Sequence, residues 1–231
     1  ASTASSGTAV QSLAVTVTAV NDNDPVITTA TTASFAENAT GTVIDVNATD
    51  ADLPAQTLTF SITGGADAAK FAINATTGVV TFVSSPNFES PTDVGADNVY
   101  DLTVTASDGT RTVNQAIAVT VTAVNEFSPV FTSAATANFA ENGTGTVVTV
   151  QATDADLPTA TLTYSISGGV DAARFAINAT TGALTFVSSP NFEAPTDSGL
   201  NNVYDVQVTA SDGTRTVNQA IAVTVTGVND A

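Results

Sequence analysis

Two short acidic runs hold most of the chemistry in this chain: Ala48-Thr49-Asp50-Ala51-Asp52 and its copy Ala152-Thr153-Asp154-Ala155-Asp156. Carboxylates at i and i+2 with no basic neighbour repel one another unless a cation lies between them. Calcium suits such a pair, because it accepts about six to eight oxygens in loose geometry, from carboxylates, amides and backbone carbonyls. A solvated Asp-rich turn that closes a strand is the plainer alternative for either run alone. A second set of polar runs repeats with the same offset: Ala19-Val20-Asn21-Asp22-Asn23-Asp24-Pro25, Ala123-Val124-Asn125-Glu126-Phe127-Ser128-Pro129 and Gly227-Val228-Asn229-Asp230. Each follows a Val/Thr strand, and in the first two a proline blocks any continuing ladder. Joints made of oxygen ligands in an acidic chain point to a metal-stiffened connector rather than a catalyst.

The elements that position these runs read as strands throughout. Leu13, Val15 and Val17 alternate against Ala14, Thr16 and Thr18, so Val10–Val20 reads as a strand, and it matches Asn114–Val124. It looks like the last strand of a preceding unit, an orphan in this chain, which marks the sequence as a piece of a longer array. After an opening strand near Val26–Phe35, Thr42–Ala48 follows with Ile44, Val46 and Ala48 on one face. Next come a strand marked by Leu58, Phe60 and Ile62, the short pair Phe71–Ile73 and Val79–Val83, and Tyr100, Leu102, Val104 and Ala106 facing inward. Val113, Ile117, Val119 and Val121 complete the core. Seven short strands with period-two alternation and no helical period predict an all-β, seven-stranded Greek-key β-sandwich of immunoglobulin-like type. The second unit repeats the first: Thr105–Thr122 equals Thr209–Thr226, and Phe71–Gly78 recurs as Phe175–Gly182. The expected organisation is therefore a disordered start and orphan strand (1–21), one repeat (22–125) and a second (126–231).

Composition narrows the function. Four Lys+Arg against 22 Asp+Glu give a net charge of −18, which argues against nucleic acid and anionic membranes and favours hard cations. With no His and no Cys, the commonest general base and transition-metal ligands are missing and no disulfide can form. No apolar run reaches the roughly 20 residues of a membrane span. Paired carboxylates could imitate a glycosidase, but they recur identically in both units, so an enzyme is not expected.

Taken in order, Val20–Pro25, Phe35-Ala36-Glu37-Asn38, Asp50-Ala51-Asp52, Asn87-Phe88-Glu89 and Ala106-Ser107-Asp108-Gly109 closely resemble the motifs of the cadherin repeat, and the second unit shows the series again. The resemblance covers nearly all of the chain from Val20 onward. The Lys/Arg-poor, Thr/Ala/Val-rich composition looks more like the cadherin-like repeats of large bacterial surface adhesins than like animal cadherins.

The resemblance implies calcium between successive repeats. At the central joint it implies Glu37, Asn87 and Glu89 from the first unit, Asn125 and Glu126 from the linker, and Asp154, Asp156 and Asp212 from the second, with backbone carbonyls of Val124 and Phe127. Upstream it implies Asn21, Asp22, Asn23, Asp50, Asp52 and Asp108, and downstream Glu141, Asn191, Glu193, Asn229 and Asp230. Asn87, Glu126, Phe127 and Ala123 depart from the family pattern, so one to three ions are expected per joint. The implied role is mechanical: extender or filament repeats, extracellular or on the cell surface, partnered by neighbouring repeats of the same chain. Homophilic self-association or carbohydrate-directed adhesion is the alternative, although the absence of Trp and the inward placement of Tyr100, Tyr164 and Tyr204 speak against a sugar platform. Neither nucleic acid nor membrane insertion is expected.

Several residues have a plainer reading. Asp108-Gly109 and Asp212-Gly213 are tight-hairpin signatures in their own right, so turn formation and ion ligation both stand for these aspartates. Asp93, Asp97 and Asp101, in and after the Ser84–Asn98 loop, read as solvated surface. Asn38-Ala39-Thr40 and Asn74-Ala75-Thr76 match the glycosylation acceptor pattern, which a bacterial source makes irrelevant.

Overall fold

The computed structural model describes residue 7 and residues 10–229. The chain divides into two compact units, the first running to Pro86 and including Thr92–Val121, the second comprising Asn87–Pro91 and the chain from Thr122 onward. In the first unit the strands are β1 (Val26–Ile27), β2 (Thr32–Ala36), β3 (Thr42–Asp45), β4 (Ala48–Thr49), β5 (Thr59–Gly64), β6 (Phe71–Ile73), β7 (Val79–Phe82), β8 (Val99–Ser107) and β9 (Thr112–Thr122). They form a four-stranded sheet β2-β9-β8-β5, a three-stranded sheet β3-β7-β6 and the short pair β1-β4. The second unit repeats the plan with β10 (Val130–Phe131), β11 (Thr136–Ala140), β12 (Thr146–Thr149), β13 (Ala152–Thr153), β14 (Thr163–Gly168), β15 (Phe175–Ile177), β16 (Ala183–Phe186), β17 (Val203–Ser211) and β18 (Thr216–Thr226). There β11 runs parallel to β18, while β17 and β18 are antiparallel.

Two of the seven expected strands are each split. The opening strand pairs first with β4 and then crosses, as β2, to the sheet of β9. Between β3 and β4 the ladder breaks at Val46, whose N–H donates to Gly78 O at 3.0 Å, and at Asn47, whose N–H donates to the Thr29 hydroxyl at 2.6 Å. A register shift between Thr42 and Ile44 inserts an extra residue into β3. Such a bulge resets the side-chain alternation. Val43 and Val46 are therefore the buried residues, whereas Ile44 and Ala48, expected beside Val46 on the inner face, are only half-buried.

The core lies between the sheets. Tyr100, Leu102, Val104 and Ala106 of β8 and Ile117, Val119 and Val121 of β9 are fully buried, facing Val46, Phe71 and Val80. Burying each Val, Leu or Phe side chain contributes about 1.5–3 kcal/mol. Phe82 stacks tilted on Phe71 at 4.5 Å and meets Tyr100 edge-on at 5.2 Å. The polar tips of the three tyrosines are satisfied as well: Tyr100, Tyr164 and Tyr204 accept the N–H groups of Thr92, Ala152 and Thr196 at 3.2, 3.1 and 3.1 Å. Gly78 ends the β6–β7 turn at φ +77°, where a Cβ would lie 2.0 Å from Val46 O. Only glycine fits there.

The stretch expected to be an orphan pairs with nothing among the described residues, and one other expectation needs correction. Val10–Val20 joins no ladder among the described residues, and Val10, Leu13, Val15, Val17 and Val20 are all exposed. A strand needs a neighbour to satisfy its backbone, and β9 and β18 already fill the matching place in each unit. Of the first residues, expected to be disordered, 1–6, 8 and 9 lie outside the described residues. The correction concerns Asp93, which is buried rather than solvated: its carboxylate accepts Asp97 N–H at 3.0 Å and Asn98 N–H at 3.2 Å. Asp97 and Asp101 are exposed as expected.

Candidate metal centre

Each unit gathers three aspartates at the strand ends nearest its preceding polar run. In the first unit Asp50 and Asp52 follow β4, and Asp108 opens the β8–β9 turn. They bring carboxylate oxygens within 4.8 Å of one another. Asp154, Asp156 and Asp212 do the same in the second. The local geometry is set by the backbone. Asp50 Oδ1 accepts Asp52 N–H at 2.9 Å and Asp154 Oδ1 accepts Asp156 N–H at 3.0 Å, so each Asp-Ala-Asp run folds back on itself. Asp108 Oδ1 accepts Thr110 and Arg111 N–H, both at 2.7 Å, and Asp212 Oδ1 accepts Thr214 and Arg215 N–H, both at 2.6 Å. The turn reading of the Asp-Gly hairpins is thus seen directly, through one oxygen of each aspartate, and the same residue also stands in the carboxylate cluster.

The polar runs are tied to these clusters. Asn23 donates its N–H to Asp52 Oδ2 at 2.9 Å and its side-chain amide to Asp52 Oδ1. Glu126 N–H reaches Asp156 Oδ1 at 3.1 Å, and Phe127 N–H reaches Asp156 Oδ2 at 3.2 Å. Arg111 pairs with Asp24 at 3.0 Å, and Arg215 Nε donates to Asn125 O at 3.4 Å. These contacts shift the acids. The Asn23 side-chain amide holds Asp52 below the usual carboxylate range against its burial. The backbone N–H groups of Arg111 and Thr110 do so for Asp108, and that of Arg215 leads for Asp212.

Several buried oxygens at these clusters have no protein donor: Asp50 Oδ2, Asp154 Oδ2, Asp212 Oδ2, Asn125 Oδ1 and Glu89 Oε2. Buried acceptors are ordinarily paired, and each exception calls for an explanation. Asp52 Oδ2 and Asp108 Oδ2 differ: with the Asn21 amide turned over, its nitrogen donates to both, at 3.2 and 3.1 Å. Converging carboxylate and amide oxygens, without nitrogen or sulfur donors, fit a hard cation such as calcium.

The remaining expected ligands are placed as follows. Glu37 is buried just beyond β2. Glu89 and Glu126, both in the second unit, approach within 4.8 Å, and Glu89 Oε1 accepts Leu157 N–H at 3.1 Å. Asn87 and Asn191 turn their oxygens to Ser90 and Ala194 N–H, each at 2.7 Å, capping their own loops instead of facing a cluster. Asp22 is exposed, within 3.3 Å of the Asn23 amide. Glu141 is buried, its two oxygens accepting Phe192 and Val228 N–H. Glu193 and Asn229 are exposed, and Asp230 lies outside the described residues. The sequence reading passed over Asp67 and Asp171. Both are buried and accept two backbone N–H groups, from Val94 and Asp101 and from Ser198 and Asp205, which pins the long loop to β8 or β17. Their recurrence at the same offset before Ala-Ala-Lys and Ala-Ala-Arg was the available signal.

Both units thus show the same sandwich topology, each with a three-aspartate cluster at one end. The chain matches the Cadherin domain model over residues 31–124 and 135–226, and it belongs to the cadherin family. It is 36% identical over 213 residues to human Cadherin EGF LAG seven-pass G-type receptor 2, covering 89% of this chain and 7% of that protein. It is 33% identical over 234 residues to rat Cadherin-23, covering 94% and 7%. The chain thus spans a small part of these relatives' length. Among solved structures, Protocadherin Gamma B2 extracellular cadherin domains 3-6 superposes with a TM-score of 0.73 at 21% identity, covering 92% of this chain and 55% of that one. Both named relatives are animal proteins, which lends no support to the bacterial adhesin expected from composition. No helix among the described residues is long and apolar enough to cross a membrane.

Proposed function

We propose that the two units are calcium-stiffened extender repeats of a secreted or surface-anchored adhesin or filament protein. In this reading calcium bridges consecutive repeats, drawing Glu37, Glu89, Asn125 and Glu126 together with Asp154, Asp156 and Asp212. The observation that carries it is the set of buried oxygens without donors, Asp50 Oδ2, Asp154 Oδ2, Asp212 Oδ2 and Asn125 Oδ1. In water each would keep its hydration; under burial only a cation offsets their mutual repulsion. Because Asn87 spends its oxygen on Ser90 N–H, fewer ligands remain than a full family set supplies. Affinity is expected at about 0.1–1 mM, the range of extracellular calcium modules, so that the repeats respond to the external medium. A calcium titration followed by calorimetry and small-angle scattering tests this. A higher melting temperature and a narrower distribution of end-to-end distances are expected, and identical curves in calcium and in chelator overturn it. Homophilic pairing of chains is a separate reading, decided by light scattering with and without calcium.

A further inference from the structure

Asn142 is followed by Gly143, the one Asn-Gly pair in the sequence. We propose that this turn is a spontaneous modification site at which Asn142 converts to aspartate and isoaspartate, while Asn38 in the equivalent turn persists. The chemistry is internal. The backbone nitrogen of the following residue loses its proton to water or hydroxide and attacks Cγ of the asparagine side chain. The bond from Cγ to the side-chain nitrogen breaks, and that nitrogen leaves as ammonia. Water then opens the five-membered imide at either carbonyl, giving aspartate or an isoaspartate whose main chain runs through Cγ. Glycine lacks the Cβ that otherwise shields the attacking nitrogen.

The fold supplies its own control. Asn142 and Asn38 are both exposed at φ 56°, and both donate their N–H at 2.9 Å, to Pro190 O and Pro86 O. The next nitrogen is held in both turns by one long bond, Gly143 N–H to Ala140 O at 3.2 Å and Ala39 N–H to Ala36 O at 3.4 Å. The two turns thus share a backbone and differ by the Ala39 Cβ. Asp108-Gly109 and Asp212-Gly213 offer the same following glycine but a different hold on the side chain. One oxygen of each is pinned by two backbone N–H groups, which holds the carboxyl group away from ring closure.

Conversion has a structural consequence beside Glu141, whose oxygens accept Phe192 and Val228 N–H, both at 2.7 Å. An isoaspartate inserts a methylene into the main chain at position 142 itself, and either product adds a negative charge next to Glu141 in the chain. Both loosen this end of the second unit, whether or not calcium is present.

The test is to age the full chain in warm, mildly alkaline buffer with chelator and map Asn38 and Asn142 by peptide mass spectrometry and isoaspartate detection. A Cβ at Gly143 would meet Ala140 O at 2.8 Å, so the informative variant is Ala39→Gly, which creates a second Asn-Gly pair. Asn142 should convert on the order of tenfold faster than Asn38, and Ala39→Gly should bring Asn38 to a comparable rate, because the Cβ is the difference. Equal rates at the two sites in the parent chain, or conversion of Asn142 only in denaturant, would overturn the proposal.

Discussion

Val228 N–H donates to Glu141 Oε1 at 2.7 Å, joining residues 87 positions apart and fixing the end of β18 to the start of the loop after β11. Phe192 N–H donates to Oε2 of the same carboxylate at 2.7 Å. These two backbone donors, Phe192 first, hold Glu141 below its ordinary value of 4.5 despite its burial. A carboxylate whose pKa is lower folded than unfolded stabilises the fold fully above the unfolded value, and that contribution is lost as pH falls through the folded one. The second unit should therefore melt progressively earlier as pH drops below about 4.5. Glu141→Gln should lower its melting temperature at neutral pH and flatten this acid dependence. Calorimetry across pH checks both, and an unchanged slope in the variant refutes the assignment.

Asp154→Ala with Asp156→Ala removes oxygens from one cluster without opening a core cavity. The variant should keep its β-sheet spectrum but lose calcium stabilisation of the second unit, whereas Asp50→Ala with Asp52→Ala should affect the first. Asp156 also holds the Glu126 and Phe127 N–H groups, so cleavage near Glu126 should rise in the first pair even in chelator. Asp156→Asn, which keeps an acceptor, separates that bond from the charge. Indistinguishable effects of the two pairs on calcium stabilisation would count against two separate sites.

Gly78→Ala forces a Cβ to 2.0 Å from Val46 O at a positive φ. The expected loss is about 2–4 kcal/mol, confined to the first unit. Gly182→Ala should do the same in the second, where the Cβ would meet Val150 O at 2.1 Å. Denaturant titration of each variant measures the loss, and a cost below about 0.5 kcal/mol, the level of an ordinary surface substitution, rejects the steric argument.

Tyr100→Phe keeps the ring in the core and removes the acceptor of Thr92 N–H. Because Thr92 is exposed and water can reach its N–H, losing the bond should cost about 0.5–1.5 kcal/mol. The Ser84–Asn98 loop should become easier to cleave, as limited proteolysis would record.

Val10–Val20 should exchange its amide hydrogens quickly, since it joins no ladder. Strong protection in a dilute monomer contradicts the fold described for it. Protection only at high concentration would indicate pairing between chains.

The sequence by itself determined the strands of each repeat, because alternation such as Tyr100, Leu102, Val104 and Ala106 has one solution when one sheet face is buried. It also determined the acid runs, since Asp50-Ala51-Asp52 and Asp154-Ala155-Asp156 repeat with their surroundings. Three matters needed the tertiary structure. The bulge at Val43 was hidden because one inserted residue resets the alternation without leaving a local mark. The burial of Asp67 and Asp93 was hidden because their partners are backbone N–H groups of the long loop and β8, which appear in sequence as ordinary residues. Which oxygens stay free was also undecided: Asp212 Oδ1 goes to the turn and Oδ2 to the cluster, while Asn87 goes to Ser90. A sequence shows which groups can bind an ion, but the backbone donors that folding brings within reach decide which of their oxygens remain to do so.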